Sequence, residues 1–327
     1  MNRCIAGLMA GALVLAGCGS DDGDSTSGPA STSADGLDRL RVSSIALCNE
    51  ALPWGIDQGI FEEHGLEIEV ITVQSGAAGV AGMQAGDIDV GFVNSLSVFQ
   101  AVDEGVDLEV VANSGLSTED ANGVIVAAGG DYESPGDLQG ATIAINQLGG
   151  LGQVLTEAWI AADAGEDSTA EFVTLPFADQ VPAVESGNVD AAQVTASQVA
   201  QGEASGSTIS LGNPFFDGVG AIPTALYVST ADFVEDNSDV LSRFAEAMTE
   251  TAESANDDAN DEARFAVLEE FCKTPAAEIA ETAEPDYEGR MSMDSYESLV
   301  EVLQEGGHID GDRDWTEIVP DFARAES

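Results

Sequence analysis

The side chains that most often carry chemistry are scarce in this sequence, and their spacing does not suit catalysis. Lys273 is the only lysine and lies late in the chain, whereas a Schiff base or a pyridoxal-phosphate site needs an amine held in a pocket. His64 and His308 stand far apart and far from any cysteine, so neither a Cys–His nucleophile pair nor a zinc ligand set is spelled out. His-Glu-x-x-His and Gly-x-Ser-x-Gly do not occur. Gly149, Gly150 and Gly152 cluster, but no Gly-Lys-Ser/Thr follows them, which excludes a phosphate loop. The expectation is a chain with no enzymatic activity, no cofactor and no metal.

What remains is the chemistry of binding. Four short stretches fall where a β-rich run gives way to a helical pattern: Asn49 with Leu52 and Trp54, then Gln74-Ser75-Gly76, Asn94-Ser95 and Asn146-Gln147-Leu148-Gly149-Gly150. Thr195 follows a further apolar run. A helix N-terminus presents unpaired N–H groups and a partial positive charge, suited to carbonyl, sulfonyl or carboxylate oxygens. Glycines there let backbone approach a ligand closely. Asn and Ser are also favoured N-caps whatever the function, and Trp54 can either stack on a planar ligand or wedge into a core. No Lys or Arg occurs between Arg41 and Arg243, although capture of a small dianion usually leans on Arg. The expected ligand is therefore a neutral organic solute, a planar nitrogen-containing molecule being one form of it.

The four cysteines divide by position. Cys4 sits in a leader in which Arg3 precedes an apolar run, Ile5–Leu15, too short to span a bilayer and suited to a signal peptide. Cys18 follows Leu15-Ala16-Gly17, the pattern of a lipoprotein cleavage site, and a diacylglyceryl group there supplies two anchoring chains. Cys48 and Cys272 form either a bridge or two buried thiols.

The elements that must position the polar stretches can be read from periodicity. Residues 19–36 hold almost nothing large and apolar, so they form a flexible tether. Strands are expected at 41–47, 67–73, 88–93, 108–113, 123–127, 141–145, 171–175 and 189–194, with helices at 53–63, 77–85, 95–104 and 151–164. That alternation predicts an α/β fold with parallel strands, whose ligands sit beyond the carboxyl ends of the strands. After about Thr230 the pattern turns helical, at 239–255, 261–273, 275–282 and 293–305. One echo stands out. Gly82-Met83-Gln84-Ala85-Gly86-Asp87-Ile88-Asp89-Val90 is answered by Ala183-Val184-Glu185-Ser186-Gly187-Asn188-Val189-Asp190-Ala191, each reading as a helix end, an αL glycine and a turn into a strand.

Composition bounds the rest. The 327 residues are 44% hydrophobic, enough for two ordinary cores. Nine basic residues face 60 acidic ones, a formal net charge of −51, which excludes a nucleic-acid binder. The acids are spread along the whole chain, as in adaptation to high salt, where the screening length shrinks to roughly 3 Å at 1 M.

Several stretches together resemble the nitrate/sulfonate/taurine-type periplasmic binding proteins, a group that also includes importers of thiamine-precursor pyrimidines. They are the segment from Leu52-Pro53-Trp54-Gly55 through Gly59-Ile60-Phe61-Glu62-Glu63-His64-Gly65-Leu66, then Gln74-Ser75-Gly76, Ala85-Gly86-Asp87-Ile88-Asp89, Phe92-Val93-Asn94-Ser95, Asp137-Leu138-Gln139-Gly140-Ala141-Thr142-Ile143-Ala144 and Ser186-Gly187-Asn188-Val189-Asp190. The resemblance implies a type II periplasmic-binding fold, two α/β lobes joined by two crossing strands with a helical C-terminal tail. Residues 1–17 would be the lipoprotein signal peptide and 18–39 the tether. Residues 40–123, completed by 226–327, would be lobe 1, and 124–225 lobe 2, with crossings near 123–128 and 221–228. It also implies the extracytoplasmic solute-binding component of an ABC importer, monomeric, lipid-anchored on the outer face of the cytoplasmic membrane and partnered by a permease and an ATPase. A same-fold receptor for a sensor is the alternative, and a pyrimidine-synthase-like enzyme a weaker one, since Lys273 lies outside every expected cleft loop. Thr195-Ala196-Ser197 stands where the family often carries an acidic residue followed by Pro, so the usual partner for a cationic solute is missing.

Overall fold

The structure is a computed structural model that describes residues 31–33 and 36–326. The expected signal peptide 1–17, with Cys4, and the expected anchor Cys18 lie outside the described residues. The end of the expected tether is not free chain. Strand β1 (Ser31–Thr32) pairs antiparallel with the start of β2 (Asp38–Ser44), Ser31 opposite Arg39. The first sheet therefore begins ahead of residue 40, because backbone pairing, with Ser33 N donating to Leu37 O, needs no apolar side chain.

The first sheet is assembled from both ends of the chain. β2 runs parallel to β3 (Leu66–Thr72), Asp38 opposite Leu66 through Ser44 opposite Thr72. On its other side Ser43 N donates to Val90 O at 2.8 Å, a bridge that leads into β4 (Gly91–Asn94). β4 and β5 (Leu108–Asn113) flank an antiparallel strand that arrives 112 residues after β5 has ended, Ala225–Thr230. The second sheet contains β6 (Asn122–Ala127), β7 (Thr142–Ile145), β8 (Glu171–Thr174), β9 (Ala191–Thr195) and β10 (Thr208–Gly212), in the order β10-β6-β9-β7-β8. Naming Ala225–Thr230 β11, the first sheet reads β5-β11-β4-β2-β3. The two orders are the same pattern. In each, four strands run parallel and one antiparallel strand, donated across the waist, lies second from the edge, β11 in the first sheet and β6 in the second.

The helices repeat too. Helix α1 (Leu52–Asp57) and α2 (Ile60–Glu63) follow β2, α3 (Gly76–Gln84) follows β3 and α4 (Ser95–Asp103) follows β4. In the second lobe α5 (Leu151–Ala164) follows β7, α6 (Phe177–Glu185) follows β8 and α7 (Ala196–Ser205) follows β9. The paired turns seen in the sequence are α3-to-β4 and α6-to-β9, with Gly86 at φ +75° and Gly187 at φ +67°, a backbone only glycine adopts without strain. The expected single helix 53–63 is two, because Gly59 at φ +74° breaks the ladder. The expected strand 88–93 starts only at Gly91. Asp89 is spent on the turn, accepting from Arg41 N, Nε and Nη2.

The lobes are joined by residues 114–121 and 213–224; the first lies ahead of the expected 123–128, and the second shares only 221–224 with the expected 221–228. The crossing that the resemblance implies at 123–128 is strand β6 of the second sheet, where a strand was also expected, with Val124, Ile125 and Val126 fully buried. The two true crossings hydrogen-bond to one another, Ser117 N to Ile222 O at 2.8 Å and Ile222 N to Ser117 Oγ at 3.0 Å. The tail, α8 (Ala231–Asp236), α9 (Ser238–Ala255), α10 (Asp261–Cys272), α11 (Ala276–Ile279) and α12 (Met293–Glu305), folds back on lobe 1. Phe244 of α9 packs on Phe61 and Tyr227, while Phe99 of α4 meets Tyr296 at a tilt and Trp315 edge to face. No helix among the described residues is long and apolar enough to cross a membrane.

Candidate functional site

The carboxyl ends of the parallel strands in both lobes face the waist, and a cavity of about 320 Å³ opens there. Lobe 1 supplies Leu47, Cys48 and Asn49 from the turn after β2, and the second crossing supplies Thr224 just before β11. The first crossing supplies Leu116, Ser117 and Ala121. Lobe 2 supplies Asn122 at the start of β6 and Thr195, Ala196 and Ser197 at the end of β9. The tail closes the wall with Thr282, Ala283 and Pro285. No side chain among these carries a formal charge.

Each expected site residue has a definite place. Asn49 and Thr195 line the cavity, Asn49 exposed and Thr195 half-buried. Thr195 also caps α7, its backbone N donating to Gln198 Oε1 at 3.1 Å. Asn94 is exposed at the end of β4, caps α4 through Leu96 N at 3.1 Å and reaches Thr224 O from Nδ2 at 3.3 Å, so it braces a cavity residue without forming the wall. Gln74 and Ser75 are exposed at the equivalent end of β3, where Ser75 Oγ accepts from Ala78 N. A side chain at Gly76 would press on Val93 at 3.0 Å, so that glycine serves packing. Asn146, Gln147, Leu148 and Gly149 are exposed ahead of α5, with Gly150 as its N-cap residue. Gly149 takes φ +70° and its N–H donates to Gln153 Oε1. These loops sit at matching strand ends but outside the wall of this cavity.

Three expectations give way to packing. Trp54 is 2% exposed, lies among Ala51, Ala252, Ala255 and Tyr287, and donates Nε1–H to Ser254 Oγ at 3.0 Å. A ring enclosed in that way has no face left for a ligand. Leu52 is fully buried in the lobe 1 core, as its position on the inner face of α1 requires. Ser95 is fully buried, donating from Oγ to Pro223 O at 2.7 Å and from N to Thr224 O at 3.1 Å. It pins the second crossing to α4.

Two features shape the lobe 1 wall from behind. Cys48 is joined to Cys272 of α10 in a disulfide, with Cα atoms 5.3 Å apart. Glu50 is 1% exposed; its Oε1 accepts from Leu47 N at 2.9 Å and from Ser44 Oγ at 3.0 Å, while Oε2 has no hydrogen-bond partner. Burial pushes the Glu50 carboxyl above the ordinary range, against the opposing pull of those hydrogen bonds. Burial likewise pushes the Tyr227 phenol up, and the Glu50 charge adds to it. The few cations are used elsewhere. Arg264, 2% exposed, bonds Glu284 and Asp261 under the tail segment that walls the cavity. His64 meets Glu250 on the outer face of lobe 1, Nε2 to Oε2 at 3.0 Å.

Sequence reading missed Leu116, Ser117, Asn122, Ser197, Thr224 and the tail segment 282–285. The first crossing was placed too late, and the tail segment has no local motif. The disulfide, pairing residues 224 apart, and the bridge between Leu116 and Asp286, with Thr118 Oγ1 donating to Glu284 O at 3.0 Å, deliver the tail to the cleft.

Known structures share this fold. The alkanesulfonate-binding protein SsuA from Xanthomonas axonopodis pv. citri, bound to MOPS, aligns with TM-score 0.64 and 17% identity over 90% of this chain and 100% of its own. The periplasmic aliphatic sulphonate binding protein SsuA from Escherichia coli aligns with TM-score 0.66 and 19% identity over 88% and 94%. The periplasmic nitrate-binding protein NrtA from Synechocystis gives TM-score 0.62 and 15% identity over 86% and 85%. No curated protein matches by sequence. At these identities the likeness concerns the fold, a type II periplasmic-binding architecture of two α/β lobes. The family model described as NMT1/THI5 like matches residues 53–261, well over half of the chain and the whole of both crossings, and the chain therefore belongs to the NMT1/THI5-like family.

Proposed function

We propose that the protein is the extracytoplasmic solute-binding component of an ABC importer, which captures a small organic solute between its lobes and hands it to a membrane permease driven by an ATPase. The observation that carries this reading is the cavity at the waist. It is walled by strand-end residues of two repeated α/β halves and by the crossings that join them, the arrangement in which hinge closure encloses a ligand. The fold neighbours named for sulfonate and nitrate binding support the class of activity.

The solute is uncharged, because the side chains of the cavity wall bring neither a cation for an anion nor a carboxylate for a cation. Residues 38–113 with 225–326 act as one jaw and 122–212 as the other, moving about the crossings between them. Residues 1–17 direct export, and 18–30 tether the protein, a monomer, to lipid on Cys18 at the outer face of the cytoplasmic membrane. Catalysis is not part of this reading. The sole lysine, Lys273, is exposed at the end of α10 and donates to Glu270 O, away from the cavity wall. Native mass spectrometry of protein purified at molar salt tests the proposal. A small-molecule adduct lost on unfolding is expected, and chemical turnover of that molecule by the protein would contradict it.

A further inference from the structure

Resting on the solute-capture reading, the wall chemistry narrows the ligand further than charge alone. Its polar groups are carboxamides and hydroxyls, contributed from both lobes. Part of that capacity is already used. Ser117 Oγ donates to Phe215 O at 2.8 Å and accepts from Ile222 N, and Thr195 Oγ1 is engaged with Ser197 Oγ and Gln198 Oε1. Asn122 Oδ1 accepts from Gln193 Nε2 at 3.4 Å, leaving its Nδ2 to spare. Among the described residues no protein group occupies the Asn49 carboxamide.

A carboxamide sets a donor beside an acceptor, and a hydroxyl is both. Their complement is a ligand whose neighbouring atoms likewise donate and accept, as vicinal hydroxyls or a primary amide do. No side chain of the wall serves other ligand classes. The wall has no guanidinium for a sulfonate or nitrate, no carboxylate for an ammonium, and no aromatic ring for a pyrimidine or a quaternary amine. Leu47, Leu116 and Pro285 add aliphatic contact only, and about 320 Å³ is at the small end of ligand pockets. We infer that the cleft selects an uncharged, acyclic aliphatic solute with neighbouring hydroxyl or amide groups, held between the carboxamides of Asn49 in lobe 1 and Asn122 in lobe 2.

The test is thermal denaturation of the full chain in molar potassium chloride, with erythritol, xylitol and malonamide set against taurine, nitrate and 4-aminopyrimidine. Low millimolar concentrations avoid general osmolyte effects. A saturable rise in Tm with a polyol or the diamide is expected, weakened about ten-fold in apparent affinity by Asn49→Ala and by Asn122→Ala. If Asn122→Ala fails to fold, Thr224→Val, which removes the free hydroxyl between the lobes, takes its place with the same expected loss. Saturable stabilisation by taurine, nitrate or the aminopyrimidine alone overturns the inference while leaving solute capture standing. Polyol binding that is indifferent to both asparagines overturns the assignment of the two carboxamides. Silence across the panel overturns the inference, and solute capture falls with it only if native mass spectrometry also finds no adduct.

Discussion

Cys48, on the wall of the cleft, is covalently joined to Cys272 at the end of α10, 224 residues later in the chain. The bond fixes the turn after β2 to the segment that carries Thr282, Ala283 and Pro285 to the same cavity. Its stabilising effect should be large, because it closes most of the folded chain into one loop. Cys272→Ser, or reduction of the native protein, should lower unfolding free energy by about 2–5 kcal/mol. Denaturant titration at molar salt with and without reductant measures this, and coincident curves would mean that the bond contributes nothing.

Glu50 makes the lobe 1 wall sensitive to pH. Its carboxyl is raised in the folded state by burial, so the native protein holds a proton that the unfolded chain has already released. The Glu50 contribution to stability is therefore fully present below the ordinary carboxyl value and is lost as pH rises from there through the raised folded value. Glu109 and Glu288, raised chiefly by burial too, slope the same way. Glu50→Gln keeps an acceptor for Leu47 N and Ser44 Oγ while removing the titration. The variant should flatten the decline of Tm between mildly acidic and neutral pH relative to the parent; an unchanged slope would clear Glu50 of the effect.

Burial of Trp54 separates a packing residue from a binding one. Trp54→Ala should cost about 3–5 kcal/mol, since the ring fills a site between α1, α9 and Tyr287. Trp54→Phe, which retains most of the apolar area, should fold and bind solute with unaltered affinity. Isothermal titration of the Phe variant decides the point, and a ten-fold loss of affinity would place the ring at the ligand after all.

A net charge of −51 repels itself through water over about 10 Å at 0.1 M salt and about 3 Å at 1 M. Circular dichroism should show structure weakening in dilute buffer and returning with added salt, with Tm climbing steadily. A Tm independent of salt would remove the adaptation to brine from the account.

Membrane attachment through Cys18 predicts that Cys18→Ala releases the protein into the soluble fraction of an expressing cell. Retention of the variant in the membrane pellet would show another anchor.

The sequence made the alternation of strands and helices legible because apolar runs and αL glycines are local signals. β5 and α5 occupy the spans that periodicity predicts, Leu108–Asn113 and Leu151–Ala164. Strand order was not legible. β11 enters the first sheet between β4 and β5 from far downstream, a pairing that no window of sequence encodes. The same limit applies to the cleft. Strand-end residues such as Asn49 and Thr195 announce themselves beside helix starts, whereas Leu116, Asn122 and Pro285 reach the cavity only through the crossings and the tail. Ser95 and Trp54 misled because a capping position and an aromatic ring look alike in sequence whether they face solvent or core.

Small-angle X-ray scattering at molar salt, before and after adding the low-molecular-mass fraction of growth medium, tests solute capture by hinged lobes most directly. The account predicts a smaller radius of gyration with the fraction present and recovery after dialysis. A radius that stays constant while a bound small molecule is demonstrated would contradict closure of the two lobes around it.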